Sequence, residues 1–115
     1  MDKCLWPIGN GQTSEFTIYS FNDQWKNVAG LYIFALQTNQ THWRALYVGQ
    51  TDDFSSRIPY HEKWNSAVRL GASHVHARVV PLAAARDTLE RYLIATLQPP
   101  MNEQLRDVRV RSSAF

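Results

Sequence analysis

The chain has 115 residues, of which 44% are hydrophobic and 19% charged, and its formal net charge is +2. That is enough for one domain with its own core, and too apolar for the disordered class. No apolar run approaches the length of a membrane-spanning helix, and the N-terminus lacks the apolar stretch of a secretory signal. The single cysteine, Cys4, has no partner for an internal disulfide, so a reducing, cytoplasmic setting is expected. The charge is too mild to demand a polyanionic partner. Nine of the twelve basic residues are nevertheless arginine, whose planar fork suits phosphate.

Residues 1–15, with Pro7, Gly9, Asn10 and Gly11, read as an irregular lead-in. The β-branched and aromatic run 16–21 follows as an edge strand, and Trp25 beyond the Asn22-Asp23 turn reads as a core plug. Two β-type runs, 30–37 and 44–50, are joined by the polar loop 38–43 and form an antiparallel hairpin. Alternation puts Leu31, Ile33 and Ala35 on one face of the first strand and Tyr32, Phe34 and Leu36 on the other. Both faces are apolar, so this strand is expected at the centre, covered on both sides.

Thr51-Asp52-Asp53 caps a helix expected over 53–70, stopping at Gly71, with a kink or restart at Pro59. Residues 74–82 carry Val75, Val79 and Val80 and predict a third strand ending at Pro81. The clearest helix is 83–97, with Leu89, Tyr92, Leu93, Ile94, Ala95 and Leu97 as its buried stripe, ended by Pro99-Pro100. Val108 and Val110 alternate with Arg109 and Arg111 in a short strand or a loose tail. The elements add up to an α/β sandwich, with a mainly antiparallel three-stranded central sheet flanked by helices. All of it is read as one domain: a core over 28–103, the lead-in 1–27, and a basic tail 104–115.

Gly30-Leu31-Tyr32, then Tyr47-Val48-Gly49-Gln50-Thr51, then Arg57, His61, Glu90 and Asn102 resemble, in order, the successive motifs of the GIY-YIG nuclease domain. Gly-x-Tyr alone is common by chance. The ordered set is specific, and it falls on the strands and helices read above.

The resemblance implies a DNA endonuclease that hydrolyses phosphodiester bonds with a divalent cation, Mg²⁺ or Mn²⁺, leaving a 5′ phosphate and a 3′ hydroxyl. It implies that Tyr32 helps activate the attacking water and that Tyr47 orients water or phosphate. Arg57 would stabilise the pentacoordinate phosphorus, His61 would assist, Glu90 would bind the metal and Asn102 would fix the site by hydrogen bonds. Nucleic-acid contacts are expected from Gly49, Gln50, Thr51, Arg57 and Lys63. RNA stays open as a substrate, and family members usually take target choice from an added domain, so a homodimer or a targeting partner is open too. The other class is a nucleic-acid-binding module of the same fold without cleavage.

The residues have their own physics beside the family pattern. A free tyrosine has a pKa of about 10, so Tyr32 is a poor base unless cations favour its phenolate; the plainer reading is a core tyrosine. Glu90 beside an apolar stripe is costly without a partner, and a Mg²⁺ ion needs only one or two protein carboxylates. Gly49, at a strand end, is expected to let the chain turn and a phosphate approach. Arg57 and His61 sit four apart, on one face if the helix runs on through Pro59; the plainer reading of each is a solvated surface residue. His74 and His76 share a strand face and are expected to look into solvent, while Trp43 and Trp64 are expected to pack locally. Arg106, Arg109 and Arg111 either track a phosphate backbone or keep the tail soluble.

Overall fold

The alternation in the Gly30 strand sets the layers. The structure, a computed structural model that describes residues 2–102, has five strands: β1 (Lys3–Gly9), β2 (Gln12–Tyr19), β3 (Gly30–Asn39), β4 (His42–Thr51) and β5 (His74–Val79). They form a single antiparallel sheet in the order β1-β2-β5-β3-β4. Strand β3 is interior and buried from Gly30 to Ala35, because both of its faces are apolar. One face packs Leu31, Ile33 and Ala35 with Trp6, Phe16, Val48, Leu93 and Ile94. The other packs Tyr32 and Phe34 with Phe54, Ile58, Ala67 and Val75.

The sheet has five strands where the sequence suggested three. The expected lead-in is β1 and the start of β2, a hairpin that turns through Gly9, Asn10 and Gly11, all at positive φ. Strand β2 is consequently interior, between β1 and β5, and not an edge. The 38–43 loop shrinks to Gln40 and Thr41 between two longer strands, and β5 stops at Val79.

The helix expected over 53–70 is three pieces: α1 (Phe54–Arg57), a 3-10 turn over Ile58–Tyr60, and α2 (Trp64–Arg69). Asp53 caps α1 by accepting from the Ser55 N–H. Pro59 fits the start of the 3-10 turn, where its missing N–H costs nothing, and His61 beyond it is extended. Helix α3 spans Ala83–Leu97 as expected. Its buried stripe is narrower than expected, with Leu93 and Ile94 inside and Tyr92 and Ala95 exposed. Helix α3 touches both β1 and β4, the two edges of the sheet, so the sheet curls around it. The alternation around Val108 and Val110 and the tail arginines lie outside the described residues.

Candidate active site

Tyr32 projects from β3 to the face covered by α1 and α2. Its cross-strand partner on β4 is Gly49, and Tyr47 is the partner of Phe34, so Tyr32, Phe34 and Tyr47 share one face. Gly49 does not turn the chain; it lies within β4 and is not among the glycines at positive φ. A Cβ there would come within 2.5 Å of Cζ and Oη of Tyr32. The glycine makes room for the Tyr32 ring. Gly30 has a similar reason, since a Cβ there would strike the Arg78 carbonyl and the Phe54 ring.

The Tyr32 hydroxyl lies 2.8 Å from Nε2 of His61, and both residues are buried. The broken helix makes this contact. Once the chain becomes extended at His61, the imidazole turns into the layer beneath Tyr32, Phe34 and Tyr47, edge-on to all three rings. The sequence expectation of Arg57 and His61 on one helical face is replaced by two side chains that converge from either side of a 3-10 turn.

The tautomer follows from a neighbour. The backbone N–H of Lys63 donates to Nδ1 of His61 at 3.1 Å, so the neutral ring carries its proton on Nε2. His61 therefore donates to the Tyr32 hydroxyl. Burial, helped by the Arg57 charge, holds the His61 pKa down to about 4, so the ring is neutral at ordinary pH. Burial also pushes the Tyr32 phenol well above its ordinary value, and Tyr47 adds to this, while the Arg57 guanidinium pulls it back. Tyr47 is raised by burial too. As it stands the site holds a neutral phenol with a hydrogen-bond donor behind it and a cation beside it.

Arg57 ends α1 and donates from Nη1 and Nη2 to the two oxygens of Glu62, at 2.8 and 3.0 Å. Lys63 places its Nζ 5.8 Å from the centre of the Tyr47 ring. From there a groove of about 380 Å³ runs along α2, lined by Lys63, Ser66, Arg69, Leu70, Pro100 and Met101. Among the described residues its walls carry two cations and no carboxylate.

Glu90 approaches from the other side. It stands on α3, and Gln50, which pairs with Leu31 and so faces α3, donates to it at 3.0 Å. The same amide nitrogen donates to Asp87 at 2.6 Å, and the Gln50 oxygen accepts from Nε of the buried Arg86. Arg86 in turn donates to the carbonyls of Val80 and Pro81. Burial raises the proton affinity of Glu90, the Gln50 bond lowers it and the Asp87 charge raises it. The Glu90 charge is felt at both tyrosines, although no direct contact joins them. Tyr32, Tyr47, Arg57 and His61 are brought together, with Glu90 held one layer away across β4.

Asn102 brackets Val48 on the edge strand β4, accepting from its N–H at 2.9 Å and donating to its carbonyl at 2.8 Å. It braces the backbone between Tyr47 and Gly49. Gln50 and Thr51 are occupied within the fold: the Thr51 hydroxyl closes the turn into α1 with Asp53. The solvent-facing reading of His74 and His76 is overturned for His76. That ring is fully buried and accepts from the Trp6 indole N–H at 3.0 Å, because its strand position faces the α3 core. Trp43 packs on both histidines, and Trp64 stacks on Phe21. Sequence reasoning missed Glu62 and the Arg86–Gln50 link. Arg86 did leave a signal, standing four before Glu90 and seven before Leu93, on the buried side of its helix.

No family model and no curated protein matches the chain. Among solved structures it is similar to the GIY-YIG N-terminal endonuclease domain of UvrC from Thermotoga maritima. That structure is a tyrosine-to-phenylalanine point mutant bound to its catalytic divalent cation. The two chains are 25% identical, the match covers 68% of this chain and 86% of the other, and the TM-score is 0.54. The fold is GIY-YIG-like. Within that fold, Tyr32 and Gln50, the partner of Glu90, face opposite sides of the β3–β4 hairpin, and the gap left by Gly49 is filled by the Tyr32 ring.

Proposed function

We propose that the chain is a metal-dependent endonuclease that hydrolyses phosphodiester bonds of DNA on the face formed by Tyr32, Tyr47, Arg57 and His61. The observation that carries this reading is the buried 2.8 Å bond between the Tyr32 hydroxyl and the Nε2–H of His61, with Arg57 beside it. A core tyrosine needs one partner for its hydroxyl. This one has a fixed donor from His61 and the Arg57 charge bearing on the same oxygen, and both lower the cost of a phenolate that burial opposes. His61 is then a stabiliser of that phenolate and not a base, since its one free lone pair is taken by the Lys63 N–H. To take the proton of the attacking water Tyr32 must first lose its own, which burial opposes and which His61 and Arg57 favour. Arg57 meets the charge that develops on the phosphoryl oxygens, and the groove along α2, with Lys63 and Arg69, carries the strand away from the face.

The residues present fit a divalent cation. Glu90 is a half-buried carboxylate that accepts from the uncharged Gln50 amide, with a second carboxylate, Asp87, sharing that partner. Mg²⁺ or Mn²⁺ takes only one or two carboxylates from the protein, with water and phosphate completing the shell. Glu90 would hold the ion, with Asp87 beside it. When bound, such an ion polarises the scissile phosphate and steadies the leaving 3′ oxygen. Gln50 orients the Glu90 carboxylate, and the buried Arg86 orients Gln50.

The test is cleavage of supercoiled plasmid, branched DNA and single-stranded RNA with Mg²⁺ and with EDTA, wild type beside Glu90→Ala. Cutting that disappears in EDTA and falls by about 1,000-fold or more in Glu90→Ala supports the nuclease. Cutting that survives both treatments sinks the metal assignment. Binding without cutting moves the chain to the class of non-cleaving modules, and a preference for RNA replaces the substrate.

A further inference from the structure

Arg57 is held on its outer side by a residue that belongs to none of the motifs. Its two Nη groups donate one to each oxygen of Glu62. On a continuous helix, residues five apart do not share a face. The pair exists because the chain leaves α1 after Arg57, passes through the 3-10 turn that carries Pro59, and becomes extended at His61. That break turns His61 inward and Glu62 back toward α1. Two consecutive residues thus grip two different reactive groups, the Tyr32 hydroxyl and the Arg57 guanidinium.

The grip does little for folding. The two side chains are 36% and 63% exposed, and ion pairs in such settings contribute little to stability. What a carboxylate on both Nη groups does supply is orientation. The guanidinium is a rigid plane with five N–H donors, and two bonds to one carboxylate fix that plane. The same guanidinium bears on the Tyr32 hydroxyl, so fixing its outer edge also sets how the rest of it meets the catalytic face.

We propose that Glu62 is a positioning residue for phosphodiester hydrolysis, locking the Arg57 guanidinium so that its remaining donors meet the phosphate without reorganisation. The proposal rests on the nuclease reading above. It makes two effects of opposite sign. The Glu62 charge repels a polyanionic substrate and weakens binding, while the locked plane speeds the chemical step.

Glu62→Gln keeps the size but offers one acceptor oxygen, so it cannot give each Nη group its own acceptor as Glu62 does. Single-turnover cleavage should slow about tenfold, and the KM should fall about two- to threefold, with the melting temperature unchanged. A merely structural lesion does not tighten binding while slowing turnover. In an Arg57→Ala background the same change should cost far less than tenfold, because the lock acts through Arg57 and only the Glu62 charge on His61 and Tyr47 remains. A Glu62→Gln enzyme that is faster than wild type, or as fast, overturns the proposal. So does a tenfold rate loss that persists in the Arg57→Ala background. A wild-type chain that cuts nothing brings down the nuclease reading and this proposal with it, an outcome read on the wild type alone and so distinct from a failure of Glu62.

Discussion

The chain buries a histidine on each face of its sheet, and in each the Nδ1 atom accepts a hydrogen bond: His61 from the Lys63 backbone, His76 from the Trp6 indole. Each neutral ring must therefore carry its proton on Nε2. There the likeness ends. His61 gives that N–H to the hydroxyl of Tyr32. The Nε2 of His76 has no hydrogen-bond partner among the described residues, and the ring lies at 75° to Trp43 with centroids 4.5 Å apart. An aromatic face is a weak substitute for an acceptor. A buried histidine thus says little by itself; the group at its second nitrogen separates a packing residue from one that acts on a reactive oxygen.

The sharpest way to break the comparison is to delete each ring. His61→Ala and His76→Ala should both destabilise the fold, by roughly 2–4 kcal/mol, through a cavity and an abandoned hydrogen-bond partner. Only His61→Ala should also slow single-turnover cleavage, by about 100-fold or more per folded molecule. Denaturant melts give the first quantity and rates corrected for folded fraction give the second. Equal rate losses in the two variants would erase the distinction between the faces.

What the sequence disclosed follows the strength of each local pattern. The two-sided apolar run from Gly30 placed β3 at the centre, and the long periodic stretch from Ala83 gave the full extent of α3. Strand β1 escaped because Pro7 and the Gly9-Asn10-Gly11 turn look like loop, although an edge strand tolerates a residue that cannot donate. The motif residues Tyr32, Tyr47, Arg57 and His61 were legible as a set, but not the contacts among them. Those depend on where a short helix breaks, which decides that His61 turns in and Glu62 turns back. The Arg86–Gln50–Glu90 link depends on the register that brings β4 over α3, and no local pattern encodes it.

Gly49→Ala sharpens the comparison from the Tyr32 side without touching either histidine. The added Cβ meets the far end of the Tyr32 ring at 2.5 Å. The ring is buried between Phe34, Tyr47 and His61, so it can yield only by moving its hydroxyl. A displacement on this scale should cost about 10- to 100-fold in cleavage rate and roughly 1–3 kcal/mol in stability. A Gly49→Ala protein that cuts at the wild-type rate would mean that the hydroxyl position does not matter.

The smallest effect is the one with pH, and it sets the two faces against each other again. Burial holds His61 at about 4 and His76 at about 3, against an ordinary value of 6.5. For His61 the Arg57 and Lys63 charges add to the depression and Glu62 opposes it; for His76 the His74 charge adds to it. Both rings bind a proton more weakly folded than unfolded, so the unfolded chain takes up protons first as the pH falls. Their contribution to stability is whole above pH 6.5 and is lost progressively as the pH drops toward 3 to 4. The melting temperature should therefore fall over that window, and fall less steeply in His76→Ala, which removes the more strongly depressed group. The cleavage rate per folded His76→Ala molecule should keep the wild-type pH profile, since that ring touches no part of the candidate site. A His76→Ala protein with the wild-type slope of stability against pH would show that the α3 face is not where acid does its damage, and would leave His61 as the group to blame.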